Sequence, residues 1–349
     1  MSATAPAEGA LVAAQAGRSA ARERRLDLDR AKGVAILLVV VGHIVAAAPP
    51  VGAEWYDWLR YAIYRFHMPF FLYLSGYVAW LSGALSTPDS AMPRYTLRRA
   101  QRLLAPFLLL GVVVLLGKLL AERFVHVDNQ PAGLLAGLRD LVVTTEDSPA
   151  TFIWFLWVLF LCSVVAPPVW RRVGTVGLLA GGVVLLAVEL PDIFYLERFA
   201  RHALFFAVGV AVAQHEARLL PRFAALQPLW WAVFLASLAA AMLGWLPGDW
   251  SLLVCGLAAI PALHGLMLAP AAARQGWALL LGRFTMAIYL FNVIAIGVVK
   301  AVLLKAGVPW TAAGFWIHAP ALTAAGVVLP ILGKVLVLRR LPALDRMTD

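Results

Sequence analysis

Two histidines and a set of cations stand at positions where so apolar a chain is expected to carry neither. His43 follows Lys32 with ten residues between them. On a helix that offset is about 1100° of rotation, three turns plus roughly 20°, so both side chains share a face, His43 about 16 Å farther along. A cation at a helix mouth and an imidazole in its interior, on one stripe, suit an anionic ligand reaching inward. Taken singly, Lys32 also reads as an interfacial anchor and His43 as a satisfied core histidine. Hydrocarbon depth makes an idle histidine costly, which weighs toward function. Arg60, Tyr64 and His67 fall at i, i+4 and i+7, again one face. Arg60 reads as snorkelling to the outer interface. Gly76, two turns past Met68-Pro69, permits close approach of a neighbouring helix. Arg94, Arg98 and Arg102, at i, i+4 and i+8 with Arg99 beside them, form a ridge of guanidiniums. Such forks match phosphate oxygens, although anionic lipid head groups attract the same clusters.

The remaining histidines, His126, His202, His215, His264 and His318, share no spacing and read mostly as interfacial. No carboxylate or third nitrogen stands at a matching offset from His43 and His67, so no metal site is expected. The sequence contains no P-loop, no dinucleotide fingerprint and no Gly-x-Ser-x-Gly elbow. Cys162 and Cys255 lie far apart inside apolar runs and read as buried small hydrophobes.

The elements that must position these groups follow from composition. Of 349 residues, 62% are hydrophobic and only 14% charged, against about 25% charged in soluble domains, and mean hydropathy is +0.83. A water-soluble globule needs a charged skin that this chain cannot supply. Soluble enzyme, disordered protein and disulfide scaffold are thereby excluded. Apolar runs near 33–50, 61–82, 103–121, 151–170, 174–190, 200–217, 227–246, 250–270, 284–304 and 311–333 predict about ten membrane-spanning helices. The fold class is thus all-α, a polytopic integral membrane bundle. Pro69 and Pro261 fall inside runs, where a kink or freed carbonyls are expected.

Lys and Arg in the connections set the orientation. With the N-terminus in the cytoplasm, the inner side collects Arg18, Arg22, Arg24, Arg25, Arg30, Lys32, Arg94, Arg98, Arg99, Arg102, Arg171 and Arg172. It also takes Arg218, Arg222, Arg274, Arg283, Lys334, Arg339, Arg340 and Arg346. Both termini are therefore placed in the cytoplasm. The net charge of +10 reflects this topology and implies no nucleic-acid partner. A cleaved signal peptide ending near Ala46-Ala47-Ala48 fits poorly, because its charged lead is too long. The expected organisation is a disordered tail at 1–24, one transmembrane domain at 25–340 and a short cytoplasmic tail at 341–349. The outer connection 122–150 has room for a short helix over the outer mouth. No inverted repeat is evident.

At this point the residues resemble a known family. RLDLDRAKGVAILLVVVGH (25–43) followed by FHMPFFLYLSGY (66–77) is similar to the opening of the membrane acyltransferase 3 family, nearest its fucose 4-O-acetylase-like branch. RRAQRLLAPF (98–107), IWFLWVLFL (153–161) and GRFTMAIYLFN (282–292) resemble later segments in the same order. Lys32 and His43 fill the family's first-helix signature, with Lys where Arg is also common. The last of these segments often ends in His in the family, and here the residue is Asn292, which can still hydrogen-bond a substrate.

The resemblance implies transfer of an acyl group, usually acetyl, from cytoplasmic acyl-CoA to a hydroxyl of an extracytoplasmic glycan or glycolipid. It implies acetyl-CoA as co-substrate without a permanently bound cofactor, membrane lipids as surroundings, and the cell membrane as location. Lys32, Arg98, Arg99 and Arg102 would hold the coenzyme's phosphates. His43 would serve as general base or carry the acyl group, and His67, Tyr64 or Tyr289 would orient the acceptor or donate to the carbonyl oxygen. Trp154 and Asn292 complete the expected substrate-binding set. The competing expectations are a transporter or flippase of an anionic substrate and a partner protein without turnover.

Overall fold

The structure, a computed structural model, describes residues 25–46, 48–122 and 131–348. The expected tail at 1–24, with Arg18, Arg22 and Arg24, lies outside the described residues, as does His126. Among the described residues the secondary structure is helical, apart from an isolated antiparallel bridge between Thr144 and Ile193.

The chain opens with α1 (Leu26–Gly42), followed by α2 (Trp55–Tyr64), α3 (His67–Leu81) and α4 (Met92–Ala121). Then come α5 (Leu134–Val142), α6 (Trp154–Leu186), α7 (Leu196–Gln214), α8 (Glu216–Ala225) and α9 (Gln227–Met242). The C-terminal part is α10 (Gly248–Leu268), α11 (Pro270–Ala273), α12 (Gly276–Arg283), α13 (Thr285–Lys305), α14 (Ala312–Leu336) and α15 (Pro342–Met347). Helix α5 is the short helix expected in the connection 122–150. Helix α15 is held to α14 by Lys334, whose Nζ lies 2.7 Å from the Asp345 carboxylate and donates to Thr348 at 2.7 Å.

Five described helices, α4, α6, α10, α13 and α14, are long and apolar enough to cross a membrane, and a sixth span arises if α7 and α8 count as one, bent by 100°. The other expected spans are shorter pieces. The run 151–190 is one helical stretch broken at Gly174, whose φ of 65° leaves the helical region and favours glycine. Bulky apolar side chains such as Val176, Val302 and Trp316 are exposed on helix surfaces. Water penalises such a surface, whereas hydrocarbon accepts it. The protein is a multi-pass membrane protein.

The run 61–82 departs from the expected single helix. It breaks between Tyr64 and His67, where Arg65 and Phe66 donate to Ala62 and Ile63 in tight turns. Pro69 explains the break. A proline inside a helix loses a hydrogen bond and clashes with the preceding turn, whereas in the first turn its missing N–H costs nothing. The chain therefore restarts at His67 with Pro69 in the new first turn, and Arg60, Tyr64 and His67 do not share one helical face. Helix α10, in contrast, runs unbroken through Pro261.

Helix α3 sits at the centre, packed along α7, with α1 and α10 against it. A Cβ on Gly76 would lie 1.9 Å from the Phe206 carbonyl oxygen, and one on Gly209 would lie 2.0 Å from that of Tyr73. The two backbones touch at these glycines, as Gly76 suggested. Helix α1 packs on α12, α13 and α14.

Candidate functional site

Helix α1 sets the axis of the site. A polar chain anchors its first turn to α3, α8 and α10. Arg25 pairs with Asp27 at 2.9 Å and with Glu216 at 2.7 Å. Tyr77 donates to Glu216 at 2.5 Å, His264 Nε2 lies 3.2 Å from Asp27, and Tyr73 Oη lies 2.5 Å from His264 Nδ1. Buried polar groups satisfied in this way fix geometry, because breaking one strands its partner. Lys32 stands one turn beyond, with its Nζ 3.8 Å from Asp29. At the far end His43 caps α1 and its backbone N–H bonds to Val40.

Around His43 opens a cavity of about 1290 Å³, lined by side chains of α2, α3, α4, α6, α7, α10 and α13. Three histidines face it: His43, His67 and His202. His67 and His202 are 5% and 7% exposed. Their Nδ1 atoms each lie 2.8 Å from a carbonyl oxygen one turn back, that of Ile63 and that of Arg198. A carbonyl only accepts, so in the neutral ring Nδ1 carries the proton and Nε2 keeps its lone pair. Both rings are therefore poised as bases rather than donors. His43 differs, because its Nδ1 is sealed from solvent and meets no hydrogen-bond partner. The rest of the ring is half-buried and lines the cavity.

Aromatic side chains hold these rings apart. Tyr64 lies 6.4 Å from His43 and 5.2 Å from His67, centroid to centroid, and Trp154 lies 4.9 Å from His202. The Tyr64 hydroxyl donates to Gly42 at 2.9 Å, and the Tyr289 hydroxyl donates to Phe152 at 2.8 Å. Both phenolic protons are thus engaged with backbone carbonyls.

A second cavity of about 270 Å³ lies at the Lys32 end, lined by Lys32, Arg99, Arg102 and Arg283 together with Ser75, Ser163 and Thr285. Its other walls are apolar, among them Phe71, Leu74, Phe155 and Phe206. Four cations beside an apolar slot can hold an amphipathic ligand with phosphates at one end. Tyr289 lines both cavities. The cationic slot and the histidine cavity therefore lie back to back across one side chain.

The sequence-derived residues divide accordingly. Lys32, Arg99 and Arg102 line the cationic slot, and His43, His67, Tyr64 and Trp154 line the histidine cavity. Arg98 is exposed and lines neither, so the arginine ridge turns only Arg99 and Arg102 toward the slot. On the helix Arg99 is rotated by about 100° from Arg98, and Arg102, one turn on, is about 40° from Arg98 and lies between the two. Asn292 is buried but lines neither cavity, and its amide nitrogen donates to Ile288 at 2.9 Å and Tyr289 at 2.8 Å on its own helix. His202, Arg198 and Arg65 were not anticipated. Their clue was the bare presence of ionisable groups within or beside apolar runs. Nothing in their spacing tied them to His43, because they reach the cavity through packing of α3 on α7.

Two curated relatives share part of the chain. A Nodulation protein NolL from Sinorhizobium fredii is 36% identical over 139 residues, 39% of this chain and 34% of the relative. A Nodulation protein NolL from Mesorhizobium japonicum is 29% identical over 143 residues, 40% of this chain and 34% of the relative. The matched part is about a third of each relative's length. No solved structure matches. The acyltransferase-domain family profile covers residues 25–335, nearly all the helices described above. The chain belongs to that family, the membrane acyltransferase 3 family.

Proposed function

We propose that this acyltransferase moves an acetyl group from acetyl-CoA on the cytoplasmic side of the cell membrane to a hydroxyl of a glycan or glycolipid on the opposite side. The observation that carries this reading is the shared wall at Tyr289. A cationic, partly apolar slot and a histidine-lined chamber meet there. The basic residues of the connections support a cytoplasmic Lys32 end. The phosphates of the coenzyme lie against Lys32, Arg99, Arg102 and Arg283. Its pantetheine arm follows the apolar wall past Tyr289, and the thioester reaches the His43 chamber.

In that chamber the acceptor oxygen attacks the thioester carbonyl. A C–O bond forms, the C–S bond breaks, and the hydroxyl proton passes to an imidazole Nε2 and on to the departing thiolate. His43 is the residue assigned to this transfer, or to transient carriage of the acetyl group. His67 and His202, with Nε2 lone pairs turned to the chamber, accept protons. The sequence-based expectation that His67, Tyr64 or Tyr289 donates to the developing oxyanion is set aside for this resting arrangement, since their protons are held by carbonyls. Incubation of purified full-length protein with acetyl-CoA and extracted membrane glycolipids tests the reading. Release of coenzyme A with equivalent acetyl recovered on the lipid fraction supports it. Unchanged acetyl-CoA, with uptake of an anionic solute into vesicles instead, overturns it.

A further inference from the structure

The chamber around the histidines is lined by three arginines, Arg65, Arg198 and Arg201, and by the acids Glu197 and Asp249. Both acids are engaged with one of the three arginines. Arg201 lies 2.7 Å from Glu197 and 3.4 Å from Asp249.

Arg198 and Arg65 have no carboxylate partner among the described residues. The Arg198 guanidinium rests over the rings of Trp154 and Tyr195, 5.4 and 5.6 Å from their centroids. Arg65 lies over Tyr61 at 4.2 Å and donates to Ser251 at 3.2 Å, while its Nε is buried without a partner. Aromatic faces hold a guanidinium in place while leaving its N–H fork free for an oxyanion. One turn along α7 from Arg198, His202, 7% exposed, lines the same chamber with its Nδ1 on the Arg198 carbonyl and its Nε2 left as the basic nitrogen. The donor's phosphates are already accounted for at the other end of the molecule, by a separate set of cations. The charge in the histidine chamber is therefore left for the second substrate.

We propose that the acceptor carries an anionic group, a carboxylate or phosphate, which Arg198 and Arg65 bind while its reactive hydroxyl faces the histidines. This assignment rests on the acyltransferase reading for the identity of the ligand as acceptor, but its binding chemistry can be measured alone. Full-length protein in phosphatidylcholine nanodiscs is titrated calorimetrically, without acetyl-CoA, with p-nitrophenyl glucuronide, glucose 6-phosphate and neutral p-nitrophenyl glucoside. At least one charged probe is expected to bind about tenfold or more tighter than the neutral one, as a charge-assisted fork implies. Arg198→Gln is expected to bring that ratio close to one, and Arg198→Lys, which keeps charge but loses the fork, to leave an intermediate ratio. Arg65→Gln provides a second variant should Arg198→Gln fail to fold.

Equal binding of charged and neutral probes, no binding of either charged probe, or a preference that survives both Arg198→Gln and Arg65→Gln would each overturn the proposal. So would loss of the preference in phosphatidylglycerol nanodiscs, which would assign the fork to a lipid head group. Anion-selective binding without any acetyl transfer would retain the anion site and sink the acyltransferase reading. Acetyl transfer to neutral and charged acceptors alike would do the reverse.

Discussion

Proton placement at single residues decides what the chamber can do. The Nδ1 atoms of His67 and His202 are each 2.8 Å from a carbonyl of their own chain segment, which leaves Nε2 basic. Replacing His67 by Phe keeps a ring of similar size and removes that lone pair. Turnover is expected to fall by about 10²–10⁴, the usual worth of a positioned acid or base. The KM for acetyl-CoA is expected to move little, because His67 is remote from the cationic slot. Steady-state kinetics with acetyl-CoA as the varied substrate checks this, and a rise in KM at constant kcat would place His67 in donor binding instead. Sequence spacing pointed to Lys32, His43 and His67, because an ionisable group in an apolar run is informative by its type alone. Of the stripe it chose on α4, Arg102 lines the slot and Arg98 does not. It passed over His202, whose place in the cavity wall depends on a contact between distant segments that no local period encodes.

Elements bring these residues together, and their junctions are where sequence patterns were hardest to read. Hydropathy located the apolar runs but not the break before His67, since Pro69 can kink a helix or begin one and only the tertiary setting chooses. The close packing of α3 on α7 was legible in part, through Gly76. A Cβ there would meet the Phe206 backbone oxygen at 1.9 Å, and that atom has no freedom to yield. Gly76→Val and Gly209→Val are each expected to destabilise the bundle by about 1–3 kcal/mol or more, the usual cost of overpacking. A lower unfolding midpoint in detergent and weaker acetyl transfer should accompany each change. Gly297→Ala in α13 is the control, because a Cβ there meets nothing within 4 Å. Its midpoint should hold or rise slightly. Equal midpoints for all three variants would refute the close contact.

Across the whole molecule, two cavities lie toward opposite ends of α1, and the proposed function gives the donor to one and the acceptor to the other. Donor affinity should therefore depend on the Lys32 end and chemistry on the His43 end. Arg99→Ala together with Arg102→Ala is expected to raise the KM for acetyl-CoA by about 10–100-fold, the worth of one to two charge-assisted contacts. The kcat should change much less. Arg98→Ala should leave both constants near wild type, since that side chain points away from the slot. A larger effect from Arg98 than from the other pair would reverse the assignment of the ridge.

The most direct measurement compares wild-type protein and His43→Ala, both purified full length, for acetyl-CoA binding and for acetyl transfer to extracted membrane glycolipids. If the thioester meets its acceptor at this imidazole, the variant binds acetyl-CoA as tightly as wild type and transfers acetyl about 10²–10⁴ times more slowly. Transfer by His43→Ala at the wild-type rate would contradict the account.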